Sequence, residues 1–337
     1  MSIKSFNTSQ RMSNVQLPII PIVSNLIKKN PGTISLGQGV VYYGPPQKVF
    51  DAITQLNYSP DYHVYSEVEG ISNLRSIIIE KLLCENKINL NNKSDLIVSA
   101  GSNMAFMNAV MAITDPGDEI ILLRPYYFNH EMAINMISCN AIIVDTKSNY
   151  QPCLDKIMNA ITPRTKAVVT VSPNNPSGAV YPLGLIQEMA GIIGQYPEVG
   201  IISDEVYRTI LYDDHQHESI AAYLPDQTFV LGGMSKEISG TGLRLGFVAG
   251  PETILQTIAI VEGNVSSCVN LPTQKGYTHF LQQDTNLQLR YEIRDQLRQR
   301  RDLLLQRFRQ LIDQATWDPP SGAYYFFPDM YAYLGKK

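Results

Sequence analysis

The sequence is poor in cysteine, has almost no net charge and contains no long apolar run. Its four cysteines, Cys84, Cys139, Cys153 and Cys268, are far apart and form no Cys-x-x-Cys pair, which excludes a disulfide framework and a zinc site built on them. They read as buried apolar thiols. Lys and Arg number 27 against 31 Asp and Glu, a net charge of −4, too weak a field to recruit nucleic acid or an anionic membrane in bulk. No stretch approaches the roughly 18 apolar residues that span a bilayer, and Met1–Asn14 is polar with no apolar signal core. The expectation is a soluble cytoplasmic protein. Repeats, low-complexity tracts and Pro/Ser-rich linkers are also lacking, so domain boundaries are soft.

What is present is a long, core-forming chain. Its 337 residues, 44% hydrophobic and 17% charged, exclude a small binding module and a disordered polymer. Between residues 95 and 250, β-branched runs alternate with helical patterns. This predicts a doubly wound α/β domain with a parallel sheet. The predicted strands are Asp95–Ser99, Glu119–Leu123, Ala141–Asp145, Lys166–Ser172, Val199–Ser203, Thr228–Gly232 and Leu245–Gly250. Leu96-Ile97-Val98 and Ala167-Val168-Val169 are apolar without alternation, as strands buried on both faces require. Helices are expected over Ser102–Thr114, Gln151–Ile161 and Leu183–Gly194. A long amphipathic helix is expected over Asn286–Gln314, its seven Arg and four acids forming a solvated outer face.

Ligands of open α/β sheets bind beyond the carboxyl ends of the strands. There, Ala100-Gly101-Ser102-Asn103 opens a helix and offers either a phosphate cradle of backbone N–H groups or an ordinary turn. Pro173-Asn174-Asn175-Pro176-Ser177-Gly178 holds an Asn between two prolines at the sheet edge. Asp204 leaves a buried strand, so its carboxylate is exposed, protonated or paired, or else it caps the next helix. Lys236, in Gly233-Met234-Ser235-Lys236, is either a surface lysine or an amine able to form a Schiff base. His215-Gln216-His217, in a polar loop, reads as solvated side chains rather than metal ligands.

Taken in order, Ser172-Pro-Asn-Asn-Pro-Ser-Gly178, Ser203-Asp-Glu-Val-Tyr207, and Ser235-Lys236 followed eight residues later by Arg244 of Gly242-x-Arg-x-Gly246 resemble the aspartate-aminotransferase-like class I/II pyridoxal-phosphate enzymes. The resemblance extends from Ile34-Ser-Leu-Gly-Gln-Gly39 to Gly322-Ala-Tyr-Tyr-Phe-Phe-Pro328. It implies an α/β fold type I architecture: a large cofactor domain over 46–280 with a mostly parallel sheet flanked by helices, an N-terminal arm and part of a small domain over 1–45, and the start of the smaller, truncated α+β C-terminal domain over 281–337.

The resemblance also implies roles. Lys236 would carry pyridoxal 5'-phosphate as a Schiff base and shuttle the substrate Cα proton. Asp204 would pair with the pyridine nitrogen. Tyr207 and Asn175 would hydrogen-bond the ring oxygen, and Tyr127 would stack on the ring. Arg244, with Gly101, Ser102, Asn103 and Ser235, would hold the phosphate. Tyr65 would reach the phosphate of a neighbouring subunit, implying a homodimer with shared sites. Gly39 and Asn175 would meet the substrate, although Val40-Val41-Tyr42-Tyr43 departs from the family's usual Glu-Pro-Asp-Phe after that glycine. Val15–Ile22 would contribute a wall of the pocket.

The implied reaction moves an amino group from an amino acid to a 2-oxo acid. The family carries a carboxylate-binding Arg beyond Pro328, whereas no Arg follows Arg309 in this sequence. The expectation is therefore an incomplete small domain. The alternatives are a cofactor-binding fragment of weak activity, or another reaction on the same cofactor such as β-elimination.

Overall fold

The computed structural model describes residues 8–37, 39, 41, 43–55, 62, 64–90, 94–283 and 288–335. Gln38, Val40 and Tyr42, part of the glycine motif above, and Met1–Asn7 lie outside the described residues.

Seven strands form one sheet: β1 Ser94–Ser99, β2 Glu119–Arg124, β3 Asn140–Asp145, β4 Thr165–Val171, β5 Gly200–Asp204, β6 Thr228–Gly233 and β7 Gly246–Pro251. Each expected strand is there, displaced by at most a residue or two at its ends. The spatial order is β1-β7-β6-β5-β4-β2-β3. β2, β3, β4, β5 and β6 pair in parallel, while β7 is antiparallel to both β6 and β1. The sheet is thus mostly parallel, as the resemblance implies. β7 runs the other way for a local reason: the link between β6 and β7 is short and holds only single turns, so it reverses the chain instead of building a crossover helix.

Before the sheet stand α1 Ile19–Lys29, α2 Gln47–Thr54 and α3 Ser72–Asn86. The crossovers are α4 Ser102–Ile113, α5 Phe128–Met136, α6 Leu154–Ala160 and α7 Leu183–Ile193, and α8 Met234–Glu237 is the single turn after β6. The chain continues through α9 Glu252–Val265, α10 Leu271–Gln283 and α11 Gln288–Leu311.

The core lies on both sheet faces. Ile97 packs with Phe106, Leu122 and Val248 on one side, while its neighbours Leu96 and Val98 pack with Leu74, Phe247 and Tyr277 on the other. Strand residues alternate faces, so an unbroken apolar run is the sequence form of a strand covered twice. Each such side chain contributes about 1.5–3 kcal/mol when fully buried.

Three readings of single residues need correction. Only Cys139 is buried; Cys84 is exposed on α3, and Cys153 and Cys268 are intermediate. His217 is not solvated: its side chain is 3% exposed and its Nε2 lies 2.8 Å from Glu205 Oε2. On α11 the arginines are not all on a wet face, since Arg290 is buried and paired with Glu237 at 2.9 Å and Glu85 at 2.7 Å. In each case a neighbour distant in sequence supplies or withholds the cover.

Candidate active site

The carboxyl ends of β1, β4, β5 and β6 converge on a cavity of about 410 Å³. Ser102, Asn103, Tyr127, Asn175, Asp204, Tyr207, Lys236 and Gly39 all line it. Gly101 and Arg244 adjoin it, Ser235 precedes Lys236 on α8, and Tyr65 stands apart, 82% exposed on the surface of this chain.

At the end of β1, Gly101 has φ +86°, a conformation that costs a residue bearing a Cβ. It is the N-cap of α4, whose first N–H groups therefore face outward beyond the strand. A Cβ at Gly101 would collide with the Arg244 guanidinium. Gly246 is constrained similarly, because a Cβ there would stand 2.6 Å from the Gly101 carbonyl carbon and the Ser102 nitrogen. Arg244, in the left-handed region at φ +53°, donates to Thr241 O at 2.8 Å, which brings its fork to the positive end of α4.

Asp204 is the last residue of β5 and is 5% exposed. Its Oδ2 is 3.3 Å from His130 Nε2, and its Oδ1 accepts from Val206 N at 3.3 Å. A paired buried acid is thus correct, and a helix cap is not, because only turns follow. His130 escaped the reading of the sequence. It is held by a stack on Phe106, 4.2 Å between centroids, and by an edge contact with Tyr127 at 5.3 Å. The three-residue spacing of Tyr127 and His130 at the start of α5 was the available signal.

The loop after β4 divides the labour of its two asparagines. Asn174 accepts from Ser177 N at 3.0 Å and Ser177 Oγ at 2.7 Å and so closes the turn. Asn175 faces the cavity and donates to Tyr325 Oη at 3.2 Å. Tyr207 Oη lies 2.6 Å from the same Tyr325 Oη. Burial pushes the Tyr207 phenol well above its ordinary range and Tyr325 up to about 12, so both keep their protons.

The Lys236 amine donates to Gly39 O at 3.1 Å, an oxygen that Tyr324 Oη also reaches at 2.8 Å. It sits 5.5 Å from the Tyr324 ring centre and 5.8 Å from that of Tyr207. Burial lowers its pKa to about 8, with Asp204 opposing and Arg244 assisting. Such an amine is free base in useful amounts near neutral pH. Ile19 and Ile20 of α1, with Phe128 and Val206, form apolar wall, so the Val15–Ile22 segment does reach the pocket.

A buried lysine whose pKa burial lowers, an acid at a strand end and a helix N-terminus beside Arg244 thus meet in one region beyond the carboxyl ends of an α/β sheet. The sequence matches the family model for aminotransferase class I and II over residues 31–334, and the chain belongs to that family. Its members are pyridoxal-phosphate enzymes, and this protein is an aminotransferase. It is 32% identical over 268 residues to the aspartate/prephenate aminotransferase of Thermus thermophilus, an alignment covering 79% of this chain and 68% of that one. It is 34% identical over 277 residues to the probable aspartate/prephenate aminotransferase of Aquifex aeolicus, covering 81% and 70%. Among solved structures, the Thermus thermophilus aspartate aminotransferase with maleate superposes with a TM-score of 0.90 at 28% identity, over 98% of this chain and 87% of that one.

Proposed function

We propose that the protein binds pyridoxal 5'-phosphate in the 410 Å³ cavity and transfers amino groups between amino acids and 2-oxo acids, with Lys236 as the covalent and proton-transferring residue. The observation that carries this is the placement of the Lys236 amine, with its pKa lowered to about 8, in one cavity with Asp204, Tyr207 and Asn175. The residues fit the group. The bare Gly101 leaves room for the Arg244 fork above the α4 N-terminus, as a dianion needs, and Asp204 is a buried acid already backed by His130.

When bound, pyridoxal phosphate supplies an aldehyde that condenses with amines and a ring that accepts the electron pair left at the substrate Cα. Lys236 would hold the aldehyde carbon between turnovers and, once released, would take the Cα proton and deliver it to that carbon, two bonds from Cα across the nitrogen. Asp204, fixed by His130, keeps a proton on the ring nitrogen. Tyr207 and Asn175 donate to the ring oxygen, and Tyr127 packs on the ring. Gly101, Ser102, Asn103, Ser235 and Arg244 hold the phosphate, and Gly39 offers its N–H to the substrate carboxylate. The 46–280 segment then serves as the cofactor domain, closed by 1–45 and 281–337.

Tyr65 fits a role in a second copy. Its 82% exposure sits on a firmly held segment, since Val98 N donates to Glu69 O at 2.9 Å and Ile71 N to Gln274 Oε1 at 2.9 Å. A homodimer with each Tyr65 at its neighbour's phosphate is the arrangement we favour. Aspartate and prephenate, named for the relatives, are the first substrates to try.

The test is a visible spectrum of the protein loaded with pyridoxal phosphate, recorded before and after each of a panel of amino acids, with product analysis. Conversion of the bound cofactor to pyridoxamine phosphate with release of the matching 2-oxo acid is expected. Ammonia release without pyridoxamine phosphate would overturn transfer in favour of elimination.

A further inference from the structure

Tyr325 is outside the set of residues used above, yet its phenol lies among them. It lines the cavity, 2.6 Å from Tyr207 Oη and 3.2 Å from Asn175 Nδ2. Its position is set by backbone. Ala323 N donates to Ile210 O at 2.9 Å and Tyr212 N to Ser321 O at 2.9 Å. A Cβ at Gly322 would stand 2.8 Å from Ile210 O and from the Pro173 ring. The segment is therefore clamped between the Tyr207–Tyr212 turn and the loop that carries Asn175. On its other side the phenol abuts Gly39, where a Cβ would come within 2.7 Å of Tyr325 Oη.

Counting protons leaves two polarities for the Tyr207–Tyr325 pair, and they differ in what reaches the cavity. A phenol has one hydrogen to give. Asn175 Nδ2 donates to Tyr325, so the Tyr325 hydrogen is available for Tyr207. The Tyr207 hydrogen is then available to the cavity, and the second hydrogen of Asn175 Nδ2 is as well. The reverse polarity, Tyr207 donating to Tyr325, would spend the Tyr207 hydrogen on its neighbour. A hydroxyl that accepts one hydrogen bond also becomes a stronger donor in the next.

We infer that Tyr325 is a positioning residue for the aminotransferase reaction: it donates to Tyr207, and so both directs and strengthens the Tyr207 hydrogen bond to the cofactor's ring oxygen. This rests on the functional reading above. The titratable groups facing Tyr325 are Asp204 at the end of β5, Tyr207 in the turn after it, Tyr127 just before α5, and its neighbour Tyr324, with Lys236 of α8 in the same cavity. Burial keeps both phenols protonated through neutral pH, so both keep a hydrogen to give.

The test reads the pH midpoint of the visible absorbance change in the pyridoxal-phosphate-loaded protein without substrate. The form that has lost its proton carries more negative charge on the ring oxygen, and Tyr207 favours it. Loss of a charge-assisted bond in Tyr207→Phe should raise the midpoint by about 1–2 units. Tyr325→Phe should raise it by about 0.3–0.6 unit, up to a third of that effect. The double variant should match Tyr207→Phe alone, since Tyr325 acts through Tyr207.

Replacing Tyr325 with 3-fluorotyrosine, nearly the same shape but a stronger acid, should lower the midpoint; it also covers the case in which Tyr325→Phe folds poorly. A loaded protein whose midpoint ignores both changes, or additive shifts in the double variant, would overturn this inference alone. A wild-type protein that takes up no pyridoxal phosphate on Lys236 would overturn the functional reading and this inference with it.

Discussion

The Arg244 guanidinium stands where a Cβ of Gly101 would be. One residue comes from the end of β1 and the other from the turn before β7, strands that lie side by side in the sheet. The proposed phosphate cradle therefore depends on a size match between a residue just after β1 and one just before β7. Gly101→Ala adds a collision and strains a φ of +86°, a cost of roughly 1–3 kcal/mol. The expected result is pyridoxal phosphate affinity lower by about tenfold or more in a fluorescence titration. Unchanged affinity would show that Gly101 and Arg244 do not hold the phosphate.

Lys236 makes a prediction about the cofactor-free protein. Its pKa in the fold is about 8, below the 10.5 of an exposed lysine, so the unfolded chain binds more protons between those values. Stability from this group accordingly rises with pH through that window, and below about pH 8 the buried charge is a net cost. Lys236→Met should stabilise the cofactor-free protein at pH 7 by on the order of 2 kcal/mol, with the gain fading by pH 10.5. Paired thermal melts across this range would detect it. The same variant should lose the borohydride-stable cofactor adduct that mass spectrometry is expected to find on Lys236 in the wild type.

Glu205, beside Asp204 but turned away from the cavity, is fully buried and accepts from Ser203 Oγ at 2.9 Å, Ser219 Oγ at 2.5 Å and His217 Nε2 at 2.8 Å. Burial alone would raise its pKa, but His217 and the two hydroxyls outweigh it and hold the carboxyl below the ordinary 4.5. Its contribution is therefore complete above about pH 4.5 and is lost as pH falls through the lower folded value. Glu205→Gln should cost roughly 3 kcal/mol at pH 7, and the gap between variant and wild type should close in acid. A gap independent of pH in chemical denaturation would contradict this.

Tyr65 allows a test of shared sites by complementation. Tyr65→Ala and Lys236→Ala should each be inactive or nearly so as homodimers. Co-expressed at equal levels they should recover activity in about a quarter of all sites, because each mixed dimer has one site with neither change. Absence of recovery in mixtures shown to contain mixed dimers would place Tyr65 outside the site.

The seven strands were legible because each is an apolar run punctuated by Gly, Pro or polar turns, and their covering on both faces was legible from the missing alternation in Leu96-Ile97-Val98. Lys236, Asp204, Asn175, Tyr207 and Arg244 could be named because each lies within a few residues of a strand end, inside a local motif. The direction of β7 was not legible, because strand direction is set by the length of a link and by partners elsewhere in the chain. Nor was His217 legible, whose polar loop folds over a buried carboxylate.

His130 and Tyr325 mark the same boundary at the site itself. His130 reaches Asp204 across 74 positions of sequence and Tyr325 reaches Tyr207 across 118. Local patterning determines which residues end a strand and therefore which can meet a ligand. Which polar groups stand behind them, and in which direction their hydrogens point, is decided only when the tertiary fold removes water and leaves each buried donor a single acceptor.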